Sequence, residues 1–377
     1  MARTHRDIIL NLSMVCAFAA IAGSGGRASC QGLIAEPREA PQRMSGGSTS
    51  VESEIKLGAA YLTGNGVSKD DKQAAYWFEK AAEAGDASAQ DQIGFFYQAG
   101  IGVPADPVRA AHWYHLAAAS GLPSAKTNLG VAYLWGTGVP KDQQLAAQLF
   151  REAADKGNGT AATYLGDLYY FGRGLNLDQS AAEHWYQVGA KLHDPIAYYD
   201  LGTLAAFGEH SHDFHKAESY LRKSITGGYV PAMHALALLL EAHPELARTH
   251  DEYLSLLQQA SHYGQWKSSA ALGLLYEEGK LTARDAKAAY YYFQLAILQN
   301  GEKSAQEFDS VTQSLVGEIG AEQARKLEAA AQAWYGQHHD AVQLLMRKNA
   351  KLTPQGLAIA NPADGFHVGQ LVRVPPS

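Results

Sequence analysis

A 36-residue period is the feature that most constrains what this chain can fold into. The dipeptide Leu57-Gly58 returns four times at intervals of 36 residues, as Ile93-Gly94, Leu129-Gly130, Leu165-Gly166 and Leu201-Gly202. A step of 35 residues then reaches Leu236-Ala237, and Leu272-Gly273 completes seven units. One short unit cannot bury its own apolar surface. The repeat therefore predicts stacked units that share a continuous core, instead of separate globular domains.

Each unit has the pattern of two short amphipathic helices joined by a glycine turn. Apolar residues recur at three- and four-residue steps on both sides of a Gly-x-Gly sequence, which lies at 64–66, 100–102, 136–138 and 172–174. An Asp heads the second run and can cap its free amide groups, at Asp70, Asp106, Asp142, Asp178, Asp213 and Asp285. A glycine such as Gly85 then ends the helix in the left-handed conformation. The glycine of Leu-Gly is expected where the two helices cross closely.

The consensus LGxxYxxGxGVxxDxxxAxxWYxxAAxxG, over roughly residues 52–302, resembles the Sel1-like repeat family, which is related to the tetratricopeptide repeats. The resemblance implies an all-α protein, an α/α solenoid of about seven helix-turn-helix repeats wound as a right-handed superhelix. It also implies an adaptor that holds complexes together. Residues 303–350 keep helical periodicity without the repeat signature and are expected to be C-terminal capping helices, because the last unit of a solenoid must present a polar face. Residues 351–377 are expected to be an extended tail.

Three units depart from the pattern. In the fifth unit, Gly208 is followed by EHSHDFH instead of x-Gly-Val. His193 stands where the fourth unit should close on glycine, which predicts a strained left-handed turn. The sixth unit lacks both the Gly-x-Gly sequence and the tyrosine, so it is expected to be the least regular.

The N-terminus predicts export. Basic residues precede the 15 residues 8–22, which are almost entirely apolar, and small residues follow, so residues 1–30 have the form of a cleaved signal peptide. Residues 31–51, rich in Pro, Gly and Ser, are expected to be a flexible linker. Lipidation at Cys30 is an alternative, although Arg27 stands where a lipoprotein signal has an aliphatic residue. The periplasm is the favoured compartment, and no transmembrane segment is expected in the mature chain.

Charge and motifs exclude several functions. The formal net charge of -7 disfavours nucleic acid as a partner. No HExxH, P-loop, GxSxG or dinucleotide fingerprint is present, so we expect no enzyme activity and no cofactor. The one candidate metal site is the cluster His210, His212 and His215, and an ordinary exposed loop explains it as well.

A binding groove is the remaining hypothesis. If the first helix of each unit faces a concave side, its lining positions lie two before, two after, and five and six after the Leu of Leu-Gly. In the central units these positions hold Asp91, Phe95, Thr127, Trp135, Asp167, Tyr170, Phe171, Tyr199 and Phe207. Such residues suit a partner polypeptide, so the chain is predicted to be an exported protein-binding scaffold. A cell-wall or exopolysaccharide glycan is the alternative ligand, because GFHVGQLVRVPPS is similar to the end of a LysM module. For any one of these nine residues, the alternative to a binding role is that its side chain packs between neighbouring first helices.

Overall fold

The computed structural model describes residues 50–207, 212–249, 251–279 and 283–349, with the side chains of 302, 303 and 339–349 left aside. The described residues form sixteen α-helices and no strand. The first helices of the seven units are α1 Val51–Thr63, α3 Ala87–Ala99, α5 Pro123–Trp135, α7 Gly159–Phe171, α9 Pro195–Phe207, α11 Pro231–Ala242 and α13 Trp266–Glu278. The second helices are α2 Asp71–Glu83, α4 Pro107–Ala119, α6 Gln143–Asp155, α8 Gln179–Lys191, α10 Phe214–Thr226, α12 Glu252–His262 and α14 Ala286–Asn300. Two further helices follow, α15 Glu302–Ile319 and α16 Ala321–Asn349.

The helices stack in chain order, which confirms the predicted all-α solenoid. Each second helix packs against the first helix of its own unit and against the first helix of the next. Successive first helices also contact each other directly, α7 with α9 and α9 with α11. The first helices therefore form the more closely spaced layer of this part of the stack.

The predicted caps are confirmed. The Asp70 carboxylate accepts hydrogen bonds from the amides of Lys72 and Gln73, at 2.9 and 3.1 Å. The same two-amide arrangement recurs at Asp106, Asp142 and Asp285. Asp178 and Asp213 each accept from a single amide, that of Ala181 and that of Lys216. Because each cap satisfies amides that no intrahelical carbonyl reaches, it fixes where the second helix of its unit begins.

The glycine of Leu-Gly lies at the crossing of the two helices in its unit, as predicted. A Cβ placed on Gly94 would lie 2.8 Å from the ring of Tyr114, and one on Gly130 would lie 2.7 Å from the ring of Phe150. These rings are fully or almost fully buried. The missing side chain thus makes room for the aromatic residue that fills the unit.

The second glycine of each turn meets the preceding unit. A Cβ on Gly102 would lie 1.9 Å from the carbonyl oxygen of Asp71, and one on Gly138 would lie 1.9 Å from that of Pro107. Both glycines have positive φ angles. Gly66, in the first unit, has no atom within 4 Å of its Cβ position. The turn of one unit therefore rests on the start of the second helix of the unit before it.

The backbone is irregular in two of the units whose sequence departs from the repeat pattern. His193 has a φ of 61°, and it is the only residue other than glycine with a positive φ in the described part of the chain. In the sixth unit a 3-10 turn, Pro244–Leu246, replaces the glycine turn, and no side chain caps α12. Helices α15 and α16 both pack against α14, where Phe308 meets Phe293 with ring centroids 5.2 Å apart.

Candidate partner-binding surface

Two of the nine residues expected to line a groove lie inside the stack. Asp91 and Thr127 are 2% and 4% exposed. The Asp91 carboxylate accepts hydrogen bonds from Ser124 Oγ at 2.7 Å and Asn128 Nδ2 at 2.8 Å, so it joins α3 to α5. Burial raises the pKa of Asp91. The expectation that these two side chains face a ligand is corrected: the position two before the Leu faces the neighbouring first helix.

The same position is polar and buried in the fourth and sixth units as well. Thr163 donates a hydrogen bond to Asp194 Oδ2 at 2.5 Å, at the start of α9. His234 Nδ1 lies 3.1 Å from Ser268 Oγ on α13. Burial, with a smaller contribution from the charge of Lys267, lowers the pKa of His234 to about 4. Buried polar contacts thus link several pairs of successive first helices.

Four of the expected residues are half-buried, namely Phe95, Asp167, Tyr170 and Tyr199. Asp167 accepts a hydrogen bond from the Tyr186 hydroxyl at 3.0 Å, and burial is the main cause of the raised pKa of that tyrosine. The rings of Tyr199 and Tyr229 meet edge to face at 5.1 Å. These side chains are therefore partly engaged in contacts within the stack and partly accessible to solvent.

The remaining three residues are exposed and equivalent. Trp135, Phe171 and Phe207 are the last residues of α5, α7 and α9, and they are 37%, 40% and 58% exposed. They occur at intervals of 36 residues, so each stands at the same place in its unit. We call these three side chains the aromatic row. Large aromatic side chains left in water at one repeated position are typical of a surface that binds a partner.

Arg173 belongs to the same surface and was not predicted. Its guanidinium lies 5.3 Å from the centroid of the Trp135 ring and 4.8 Å from that of the Phe171 ring. Arg173 therefore bridges the row between the third and fourth units by cation–π contacts. The signal available in the sequence was its place as the middle residue of Gly172-x-Gly174, directly after Phe171.

The histidine cluster is only partly described. His210 lies outside the described residues, and no group of three His, Cys, Asp or Glu side chains placed to hold a metal ion occurs within them. His212 and His215 lie close to the 3-10 turn of the sixth unit. The His212 ring meets the Phe214 ring with centroids 6.3 Å apart, and the charge of His215 acts on Glu245. His243 in turn stacks on Phe214, with centroids 3.7 Å apart, and its Nδ1 lies 3.2 Å from a Glu245 carboxylate oxygen. None of the helices that the structure describes is long and apolar enough to cross a membrane.

Comparison with protein families matches the Sel1 repeat to residues 51–86, 87–122, 123–158, 159–194, 195–229 and 266–301, which is more than half of the chain. Between these matches only residues 230–265 are left out, and they hold the sixth unit, which has the 3-10 turn and the uncapped helix. Comparison with curated proteins finds no significant match.

Among solved structures, the chain is similar to a Sel1 repeat protein from Oxalobacter formigenes. The two are 28% identical with a TM-score of 0.57, over 66% of this chain and 98% of that one. The immunity protein Pa5087 from Pseudomonas aeruginosa is 21% identical with a TM-score of 0.43, over 57% of this chain and 84% of that one. The first of these similarities supports the solenoid fold.

Proposed function

This chain belongs to the Sel1 repeat family, whose members mediate protein–protein interactions, and from that premise we propose that its aromatic row binds a partner polypeptide. The observation that carries the proposal is the exposure of Trp135, Phe171 and Phe207 at one repeated position. Nothing in the stacking of the units requires this position to be aromatic: it is Thr63 in the first unit and Ala99 in the second. The row is therefore a local property of the third to fifth units.

An extended segment is the form of partner that suits this arrangement. One anchor per unit, repeated along successive first helices, matches a chain that runs across the units instead of a single compact contact. Fully burying an exposed aromatic side chain contributes on the order of 2 kcal/mol, so three anchors supply at most about 6 kcal/mol before the cost of association, and the remaining contacts of the segment must add to them. Arg173 adds a cation to the row, which favours a segment that carries acidic groups.

Export is part of the same proposal. The signal-peptide pattern of residues 1–30 supports it, and those residues lie outside the described part of the structure. The scaffold would then act in the cell envelope, with the periplasm as the favoured compartment.

A glycan is the second candidate ligand. It is favoured by the Trp135 indole, because carbohydrate rings bind to exposed aromatic faces through their apolar sides. The LysM-like sequence at the C-terminus also favours a glycan, and it lies outside the described residues.

Capture from an envelope extract tests the protein partner. We expect the triple variant W135A/F171A/F207A to lose a partner that the unchanged protein retains, because all three anchors are removed while the buried core is left intact. The matched control is V108A/L192A, which removes apolar side chains that are 65% and 40% exposed outside the row. Equal capture by the triple variant and the control, with unchanged helical circular dichroism, would reject the row as the binding surface.

Sedimentation with purified peptidoglycan tests the glycan. Co-sedimentation that the triple variant abolishes and V108A/L192A retains would favour the glycan over the polypeptide. Protein that stays in the supernatant in every case leaves the polypeptide proposal as the one to pursue.

A further inference from the structure

A second surface lies on the fifth unit, away from the residues of the aromatic row. Helix α10, the residues at the start of α9 and the loop before α12 line an open cleft of about 770 Å³, a volume within the range of small-ligand sites. We propose that this cleft binds a small oxyanion, that is, a ligand carrying a carboxylate or phosphate group. The proposal concerns different residues from the proposed function and does not depend on it.

The charges around the cleft are unusual for so acidic a chain. Three of its lining residues are cationic, Arg222, Lys223 and Arg248, and Glu218 is its only lining acid. Arg222 is neutralised: its guanidinium lies 2.6 Å from Glu218 and makes a bidentate pair with Glu252 at 2.5 and 3.1 Å. Arg222 therefore joins α10 to α12 and is not available to a ligand.

The other two cations are less constrained, although the charge of Arg248 also interacts with the Glu252 carboxylate. Neither Lys223 nor Arg248 makes an ion pair of 4 Å or less with another described residue. The backbone amide of Arg248 donates to Glu252 at 2.6 Å, so the carboxylate that holds Arg222 also fixes the loop that carries Arg248. The backbone of Arg248 at the cleft is thus fixed by the fold. Its guanidinium suits the geometry of carboxylate and phosphate.

Aromatic contacts place the ammonium group of Lys223. Its Nζ lies 5.7 Å from the ring centroids of both Tyr198 and Tyr220, which are themselves 6.3 Å apart. Two cation–π contacts restrict a side chain that would otherwise sample many rotamers. Tyr198 also lines the cleft and brings a hydroxyl group that can donate to an oxyanion.

The backbone conformation of His193 supports the same cleft independently of its cationic side chains. Five other units close on a glycine with positive φ, whereas the unit bordering this cleft closes on a histidine that adopts a φ of 61° and lines the cleft. Glycine would adopt this conformation without strain. A residue in a strained backbone conformation that also lines a cationic cleft is typical of a functional position. An imidazole can donate a hydrogen bond to an oxyanion, and glycine cannot.

Titration with inorganic phosphate and with citrate, followed by two-dimensional NMR of the full chain, tests the proposal. We expect saturable shifts of the Lys223, Arg248 and His193 amides at about 10 mM ligand or below. The double variant K223Q/R248Q should weaken binding at least tenfold. The matched control K72Q/K156Q removes the same charge from exposed lysines of the first and third units and should change binding less than twofold. Whichever of the two anions binds more tightly identifies the preferred group.

The variant H193G separates a ligand role from a structural one. If His193 contacts the anion, H193G raises the melting temperature by relieving the strained turn and weakens phosphate binding at least threefold. A purely structural histidine gives the rise in melting temperature alone. Absence of saturable shifts with either anion, or equal binding by K223Q/R248Q and its control, would overturn the oxyanion site and would leave the aromatic row untouched.

Discussion

Among single residues, His234 makes the stability of the stack depend on pH. Its imidazole is buried between α11 and α13 and its pKa is lowered to about 4, while the unfolded chain has an ordinary histidine pKa of about 6.5. Between these values the unfolded chain binds a proton that the folded chain excludes. The free energy of unfolding therefore falls as the pH drops from 6.5 towards 4, by at most about 3 kcal/mol from this group, and is unaffected above 6.5.

Urea unfolding at pH 7.5 and pH 5.0 measures this dependence. We expect the unchanged protein to lose about 2 kcal/mol more between these pH values than H234T, since threonine occupies the equivalent positions 127 and 163 and does not titrate. The control H112T removes an exposed histidine and should behave like the unchanged protein. The same loss in H234T as in the unchanged protein would mean that other groups dominate the acid sensitivity.

At the scale of the elements, the glycine turns allow the contact between units to be measured directly. Gly66 and Gly138 have φ angles of 77° and 75°, so an alanine at either position adds the same backbone strain of about 1 kcal/mol. Only at Gly138 does the new Cβ meet the preceding unit, 1.9 Å from the carbonyl oxygen of Pro107. We expect G138A to lower the free energy of unfolding by at least about 2 kcal/mol more than G66A in thermal or urea melts. Equal losses in the two variants would show that the third unit can move away from the second at little cost.

The sequence predicted those features of the helices that depend on nearby residues. The Asp caps and the left-handed glycines are decided within one turn of chain, and both are present as expected. The rotation of a first helix about its axis is set by the next unit. Asp91 consequently accepts hydrogen bonds from Ser124 and Asn128 of the next first helix instead of lining a groove. Thr127 is buried and donates to the carbonyl oxygen of Pro123 in its own helix. Arg173 was missed for a related reason, since its contact with Trp135 joins residues 38 positions apart.

At the scale of the whole molecule, the period predicted a single line of stacked units, and the helix contacts confirm it. The cleft on the fifth unit had no comparable signal. His193, Lys223 and Arg248 come from the fourth, fifth and sixth units at unrelated places in the repeat. They line one cleft because the loop of the irregular sixth unit that carries Arg248 lies beside α10. A pattern search that compares equivalent positions cannot find a site composed of departures from the pattern.

The sixth unit is expected to be the least stable internal part of the stack. Helix α12 has only 11 residues and no side-chain cap, whereas Asp residues cap α2, α4, α6 and α8. A missing cap costs about 1 kcal/mol, and in a solenoid each unit is held by its own helices and its two neighbours. Local opening should therefore be easiest at residues 231–262.

Native-state hydrogen exchange at pH 7 gives the measurement. We expect backbone amides of α11 and α12 to exchange about ten times faster than equivalent amides of α5 to α8, since a difference of about 1.4 kcal/mol in opening free energy corresponds to one order of magnitude. The variant R222Q should increase the difference, because Arg222 pairs with Glu252 at the start of α12. Equal protection of the third to sixth units in the unchanged protein would contradict local opening and would show that these units unfold as one cooperative block.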